Sequence, residues 1–288
     1  MGDPGRDTVD GATVRHPFTN RYEIKYKVPL AGLEELESRL ADIFETDRSA
    51  DDGRGYFVNS IYFDSPELRF LNEKREGDLT RIKPRLRWYT RAPGDTPEQV
   101  YMELKGRHDR IVLKRRVPLG CDMARAILEN PQALGDDEIS GSSVLAEFAY
   151  LAGRLNLRPR VLVHYHRQPF AGRFHPRLRM TFDRLMLCGW ATSLDARIED
   201  CVPALSPTSG ILELKFNDKA PWLLLRRMNA MGLVGQTFSK YAASLEELLN
   251  RMTAHCSVWR AVPTTVAIPG MDRIGPFARP AFRDLSGG

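Results

Sequence analysis

Residues 81–90, RIKPRLRWYT, carry a cation at every second position at their start: Arg81, Lys83, Arg85 and Arg87. Successive side chains of a β-strand point to opposite faces of the sheet, so these cations lie on one face of a predicted strand. A strand face in water normally mixes charges of both signs, because neighbouring like charges repel one another. Four cations in a row therefore predict a face that binds an anion.

The alternation of charged and apolar residues recurs along the chain. The other charged sets are Glu23/Lys25/Lys27, Glu103/Lys105, Arg167, Arg177/Arg179 and Glu213/Lys215. The pattern predicts about eight or nine strands and four or five helices, without regular βαβ alternation, which is typical of an antiparallel α+β protein. If the strands close into a barrel, the charged faces line its interior and the helices cover its apolar outside.

Composition adds limits on location and on domain organisation. The net charge of +5 is only mildly basic, so the placement of the charges matters more than their sum. The four cysteines are far apart in sequence, which predicts free thiols, and no apolar run approaches the roughly 20 residues that a membrane span needs. We therefore expect a cytoplasmic protein with a disordered N-terminus (1–17), one folded domain (18–254) and a Pro/Gly-rich tail (255–288).

The charged faces also predict a chemistry. Guanidinium groups match the geometry of phosphate oxygens, and carboxylates among them can hold a hard divalent cation such as Mg²⁺ or Mn²⁺. Cations together with carboxylates thus favour a site for a chain of phosphates. One alternative is that these strands simply face solvent. Another is nucleic-acid binding by a basic sheet with interleaved tyrosines, against which the acidic residues argue, because they repel a phosphate backbone.

Eight segments, in order, give the chain a recognisable resemblance. They are RYEIKYKV, NSIYFDSPEL, KPRLRWYT, VYMELKGR with LKRR, VHYHRQPF, RLRMTFD, ILELKF and FSKYAASL. Over roughly residues 18–250 the sequence resembles the VTC domain, the polyphosphate polymerase branch of the triphosphate tunnel metalloenzymes (the CYTH superfamily). The resemblance implies an eight-stranded antiparallel β tunnel with a hydrophilic bore, flanked by helices.

The resemblance also implies roles for individual residues. Those that match catalytic positions are Lys25, Arg85, Arg87, Arg167 and Arg179. Those that match substrate-binding positions are Lys83, Lys105, Lys114, Tyr165, Lys215 and Lys240. Glu213 matches the metal-binding glutamate, and Glu103 and Glu23 are further candidate ligands of Mn²⁺ or Mg²⁺. The wider superfamily carries ExExK on the first strand, whereas this chain has only Glu23 before Lys25.

The implied activity is that of an enzyme, an ATP-polyphosphate phosphotransferase. It would transfer the γ-phosphate of ATP to a growing polyphosphate chain, with ATP and polyphosphate as its partners. Two alternatives stay open on the same fold: a metal-dependent triphosphatase, and a non-catalytic module that binds polyphosphate or RNA. The resemblance also leaves room for a membrane-protein partner that accepts the chain, although no residue of the sequence shows one.

Overall fold

The computed structural model describes residues 8–9, 12–13 and 21–260, apart from 51–52, 109–110, 176, 192, 196–197 and 218–219. The predicted disordered N-terminus (1–17) falls mostly outside these residues, and so does the predicted tail (255–288), of which only 255–260 are described, as part of a helix. The chain divides into two units, Met1–Leu249 and Asn250–Gly288. The sheet and the site described below belong to the first unit, and of the second only the helical residues 250–260 are described.

Twelve strands are present in the described residues. They are β1 (Thr8–Val9), β2 (Ala12–Thr13), β3 (Arg21–Pro29), β4 (Phe44–Thr46), β5 (Tyr56–Asp64), β6 (Thr80–Thr90), β7 (Val100–His108), β8 (Ile111–Leu119), β9 (Arg158–Gly172), β10 (Arg179–Trp190), β11 (Val202–Pro203) and β12 (Ser209–Asn217). The three strands expected from the basic region, at 81–90, 99–106 and 110–118, correspond closely to β6, β7 and β8. Alternation therefore predicted these strands well.

The same residues contain seven α-helices, more than the four or five predicted. They are α1 (Leu33–Leu40), α2 (Arg69–Glu76), α3 (Cys121–Glu129), α4 (Asp136–Ser140), α5 (Ser143–Leu155), α6 (Trp222–Ala230) and α7 (Lys240–Arg260). Three short 3-10 helices lie at Leu30–Gly32, Arg48–Ala50 and Ile198–Asp200. No helix in the described part of the chain has both the length and the hydrophobicity to cross a lipid bilayer.

Ten of the strands form one antiparallel sheet. Eight follow one another in the order β3-β12-β10-β9-β5-β6-β7-β8, while β4 pairs with β9 and β11 pairs with β10. The predicted α+β fold, with an antiparallel sheet and flanking helices, is confirmed, and the two short strands are additional to the eight predicted. Within the described residues no backbone pairing joins β3 to β8, so the sheet remains open along this line.

The apolar face of the sheet is covered by helices, as its alternation requires. Leu86 of β6 and Met102 of β7 are register partners, and both are fully buried in one cluster with Phe148 of α5. A second cluster joins Leu212 of β12 to Leu224 of α6. Burial of such side chains contributes roughly 1.5–3 kcal/mol each. The helices therefore leave the opposite, charged face as the side on which function can reside.

The charged face turns inward because the sheet curls strongly. Lys105 lies on β7 and Glu23 on β3, the seventh and first strands of the sheet order, yet their side chains are 3.4 Å apart. Only a sheet that bends back on itself brings these strands within reach of an ion pair. We call the space that the charged face encloses the bore.

Helix α2 begins later than its sequence indicates. The pattern predicts Ser65 as N-cap and Pro66 as the first helical residue, but the helix starts at Arg69. Ser65 Oγ accepts a hydrogen bond from the Arg69 N–H, while the Asp64 carboxylate accepts the N–H groups of residues 70–71. The side chain that satisfies these first-turn donors is thus the last residue of β5, which moves the helix start toward the C-terminus.

Candidate functional site

The wall of the bore formed by β3 and β12 carries alternating charges. Cross-strand partners are Lys25 with Glu213 and Glu23 with Lys215, so opposite charges face each other directly. Lys215 Nζ lies 3.7 Å from Glu23 Oε1 and 3.3 Å from Glu213 Oε1. Lys105 reaches Glu23 from across the bore. The two carboxylates on this wall are therefore close enough to share one cation.

The facing wall, on β6, β7 and β8, collects cations around Glu103. Arg85 donates from Nε (2.8 Å) and Nη2 (2.6 Å) to Glu103 Oε2, and Lys114 Nζ lies 2.6 Å from Oε1. Arg87 Nε is 3.8 Å from the same carboxylate. Burial alone would raise the pKa of Glu103, but Arg85, Arg87 and Lys114 outweigh it and hold the pKa far below its usual range. Glu103 is therefore charged, although it is completely buried.

A third cluster, between β9 and β10, centres on Asp183. Arg167 forms a bidentate ion pair with it, in which Nε donates to Oδ1 and Nη2 donates to Oδ2, both at 2.7 Å. Lys240, the first residue of α7, places Nζ 2.7 Å from Oδ2 and 4.9 Å from the centre of the Tyr165 ring. Arg167 Nη2 also lies 4.0 Å from Glu213, which connects this cluster to the β3–β12 wall.

The residues around the start of α7 connect β3 to β6. We call residues 236–241 the closing segment. The backbone N–H of Gln236 donates to the Lys25 carbonyl at 2.8 Å, and the Phe238 carbonyl accepts from Lys25 Nζ at 2.9 Å. Ser239 Oγ accepts from Lys83 Nζ at 2.8 Å. The segment thus joins β3 to β6, which are five strand steps apart in the sheet order.

The structure brings thirteen of the fourteen predicted site residues into one group. Arg179 is the exception: it is the register partner of Lys215, but its side chain is 44% exposed and forms an ion pair with Asp47. The roles assigned to all fourteen from the sequence stay predictions.

Sequence reasoning missed several polar residues of the bore. Asp183 shares a strand face with Arg179 in the sequence pattern, and this was the one signal that could have indicated it. Ser60 and Tyr62 alternate with a buried Ile61 on β5, and they accept hydrogen bonds from Arg87 at 3.0 Å and Arg85 at 2.8 Å. A hydroxyl that orients a guanidinium is easily overlooked, because serine and tyrosine are common on any strand.

The bore holds more positive than negative charge. Its cations are Lys25, Lys83, Arg85, Arg87, Lys105, Lys114, Arg167, Lys215 and Lys240, and its carboxylates are Glu23, Glu103, Asp183 and Glu213. Burial lowers the pKa of Lys25 and of Lys114 to about 7, although Glu23 and Glu103 oppose the effect, and it lowers that of Lys83 to about 8. Nine cations against four carboxylates leave a surplus that a bound polyanion would compensate.

The protein side chains of the bore supply only some of the ligands that a divalent metal needs. No group of three or more His, Cys, Asp or Glu side chains in the described residues could hold a metal ion. Glu23 and Glu213 flank Lys215, however, and Mg²⁺ is often held by one or two carboxylates together with substrate phosphates. The residues therefore fit a metal that is shared with a phosphate ligand.

Comparison with known proteins agrees with the sequence pattern. The model of the VTC domain matches residues 20–249. No curated protein sequence matches the chain significantly.

Solved structures with a similar fold share little sequence identity with the chain. A Hippeastrum protein, provisionally assigned as an adenylyl cyclase and described as having a dominant triphosphatase activity, is 13% identical. Its TM-score is 0.46, with 78% of this chain and 94% of that chain covered. A Bacillus halodurans protein, provisionally assigned as an adenylate cyclase, is 11% identical with a TM-score of 0.42, covering 76% and 95%. A Pyrococcus horikoshii protein is 13% identical with a TM-score of 0.41, covering 78% and 99%.

Proposed function

This chain belongs to the VTC domain family, and on that premise we propose that it is an ATP-dependent polyphosphate polymerase. It transfers the γ-phosphate of ATP to the end of an inorganic polyphosphate chain in the cytoplasm, with Mn²⁺ or Mg²⁺ as cofactor. The observation that carries the proposal is the bore itself, where cations outnumber carboxylates on the inward face of a curled sheet. A run of phosphates is the ligand whose charge and length suit such a lining.

In the proposed reaction, a terminal oxygen of the polyphosphate chain forms a bond to the γ-phosphorus of ATP. The bond between that phosphorus and the oxygen bridging to the β-phosphate breaks, and ADP leaves. Arg85, Arg87 and Lys114 on one wall and Arg167 on the other hold the phosphates in line and neutralise charge as the phosphoryl group moves. Glu213 and Glu23 would hold the Mn²⁺ or Mg²⁺, which would supply further neutralisation of the charge on the phosphates.

The carboxylates of the bore favour transfer over hydrolysis. Hydrolysis requires a base that takes a proton from water, whereas a polyphosphate end is already an anionic oxygen. Glu23, Glu103 and Asp183 are all ion-paired. Burial would raise their pKa values, but the neighbouring lysines and arginines outweigh it and keep those values well below the usual range. Such weakly basic carboxylates are poor general bases. This supports a polyphosphate end as the acceptor, because its anionic oxygen needs no general base.

The test is to incubate the purified protein with ATP and Mn²⁺ and to measure ADP, free phosphate and polymeric phosphate in the same samples. We expect ADP and polymer in equal phosphate equivalents, and neither product when EDTA removes the metal. Stoichiometric free phosphate without polymer would instead identify a triphosphatase. Tight binding of polyphosphate without turnover would identify a binding module.

A further inference from the structure

Glu103 has surroundings unlike those of the other two glutamates in the bore. It is 0% exposed, and its two oxygens are occupied by Arg85 on one side and Lys114 on the other, with Arg87 close by. The side chain of Glu23 is 21% exposed, and its nearest cation is 3.4 Å away. The Glu103 carboxylate is therefore the most enclosed and the most tightly ion-paired of the three.

These contacts leave little room for a metal ion at Glu103. A divalent cation would have to displace Lys114 or Arg85, and it would add two charges beside the cations that remain. Coulomb repulsion between unit charges about 4 Å apart remains substantial even at an effective dielectric constant of 20. The metal role expected for Glu103 from the sequence thus conflicts with its local electrostatics. The cations beside Glu213 and Glu23 lie 3.3 Å or more away, so these two carboxylates are less tightly paired than Glu103.

The same contacts show what Glu103 does for the cations. Arg85 uses two of its five N–H groups on Glu103 and one on Tyr62, so two remain for a ligand. Lys114 uses one of its three donors on Glu103. A carboxylate that holds one side of each cation fixes the direction of the donors on the other side.

We propose that Glu103 is a positioning residue, which orients Arg85, Arg87 and Lys114 toward the phosphates and keeps ground-state anion binding from becoming too tight. The inference rests on the proposed function, since it assigns a role in phosphoryl transfer. Its charge offsets part of the attraction that these three cations exert on any polyanion. Removal of that charge strengthens binding of the substrate but loses the alignment that the transition state needs.

The test variant is Glu103→Gln, which keeps the size of the side chain and removes its charge. The probe is inorganic tripolyphosphate, measured by calorimetry without any metal ion, together with kcat and KM for ATP in Mn²⁺ and with Mn²⁺ affinity. We expect tripolyphosphate to bind about tenfold tighter or more, kcat to fall by about 10²-fold, and Mn²⁺ affinity to stay unchanged. The matched control is Glu147→Gln, which removes a half-buried carboxylate paired with Arg115 on the outer side of β8 and should change none of these values.

Other outcomes would overturn the proposal. Loss of Mn²⁺ affinity with unchanged metal-free binding would make Glu103 a metal ligand. Weaker tripolyphosphate binding together with a lower Tm would make its role purely structural, and unchanged kcat would mean that it positions nothing.

Glu103→Asp decides the matter if the glutamine variant does not fold. This variant keeps the negative charge, so tripolyphosphate affinity should stay near that of the unmodified protein. Its side chain is shorter by one methylene, which shifts the carboxylate and the cations paired with it, so kcat should fall. Normal kcat in Glu103→Asp would contradict positioning. Metal-free binding needs no turnover, so a protein that binds tripolyphosphate as expected but makes no polymer would refute the polymerase proposal alone.

Discussion

Asp183 offers a direct test of the electrostatics of the bore. Its side chain is 1% exposed, and it pairs with Arg167, 11% exposed, and Lys240, 10% exposed. The substitution Asp183→Asn preserves the shape but removes the nearest counter-ion of two nearly buried cations. Breaking a buried pair in this way costs about 3–5 kcal/mol. That is a large part of the free energy of unfolding of a typical folded protein, which is roughly 5–15 kcal/mol.

The measurement is urea-induced unfolding followed by circular dichroism. At a slope of about 3 kcal/mol per molar, the loss moves the midpoint by about 1 M or more to lower urea. Asp195→Asn is the control, since that carboxylate is 59% exposed and its pair with Arg125 contributes less than about 1 kcal/mol. Tripolyphosphate should restore stability to Asp183→Asn more than to the unmodified protein, because the freed cations bind it. Equal midpoint shifts in Asp183→Asn and the control would refute the reasoning.

Two further predictions concern single cations of the bore. Lys83 donates a hydrogen bond to Ser239. Burial lowers the pKa of Lys83 to about 8, so its positive charge is lost as the pH rises through that value. Tripolyphosphate affinity measured by calorimetry should therefore fall between about pH 7 and 9, with a smaller fall in Lys83→Arg; identical pH curves would contradict this. Arg85→Ala should lower kcat for ADP formation by about 10²–10³-fold, whereas Arg179→Ala should lower it less than about tenfold, because that guanidinium is exposed and paired with Asp47. Equal losses of kcat in the two variants would show that the difference in exposure between Arg85 and Arg179 does not reflect different roles in the reaction.

The strands were predictable because their alternation is strong, as β6 and β7 show. The partners of each charge were not, because they depend on strand order. Glu103 and Lys105 share a strand face in the sequence, yet in the structure Glu103 binds Arg85 and Lys114, while Lys105 reaches Glu23 across the bore. A period of two determines which face a side chain is on, but it contains no information about which strand lies opposite.

The contacts of the closing segment could not be predicted from the sequence, for a different reason. One of its contacts to Lys25 is accepted by the backbone carbonyl of Phe238, and another is donated by the backbone N–H of Gln236. Every residue except proline carries both groups, so no side chain signals the contact. Only Lys240 was identified beforehand, and its ion pair with Asp183 depends on where α7 begins relative to β10.

The pairing of β3 with β12 has a consequence for how the chain folds. Lys25 and its register partner Glu213 are about 190 residues apart, so one of the longest loops in the domain must close before the first long strand has any neighbour. During synthesis at roughly 5–20 residues per second, β3 waits about 10–40 s for its partner to be made. Throughout that interval its hydrogen-bonding edge is unpaired, and the nascent chain depends on the charges of Glu23, Lys25 and Lys27 to discourage aggregation.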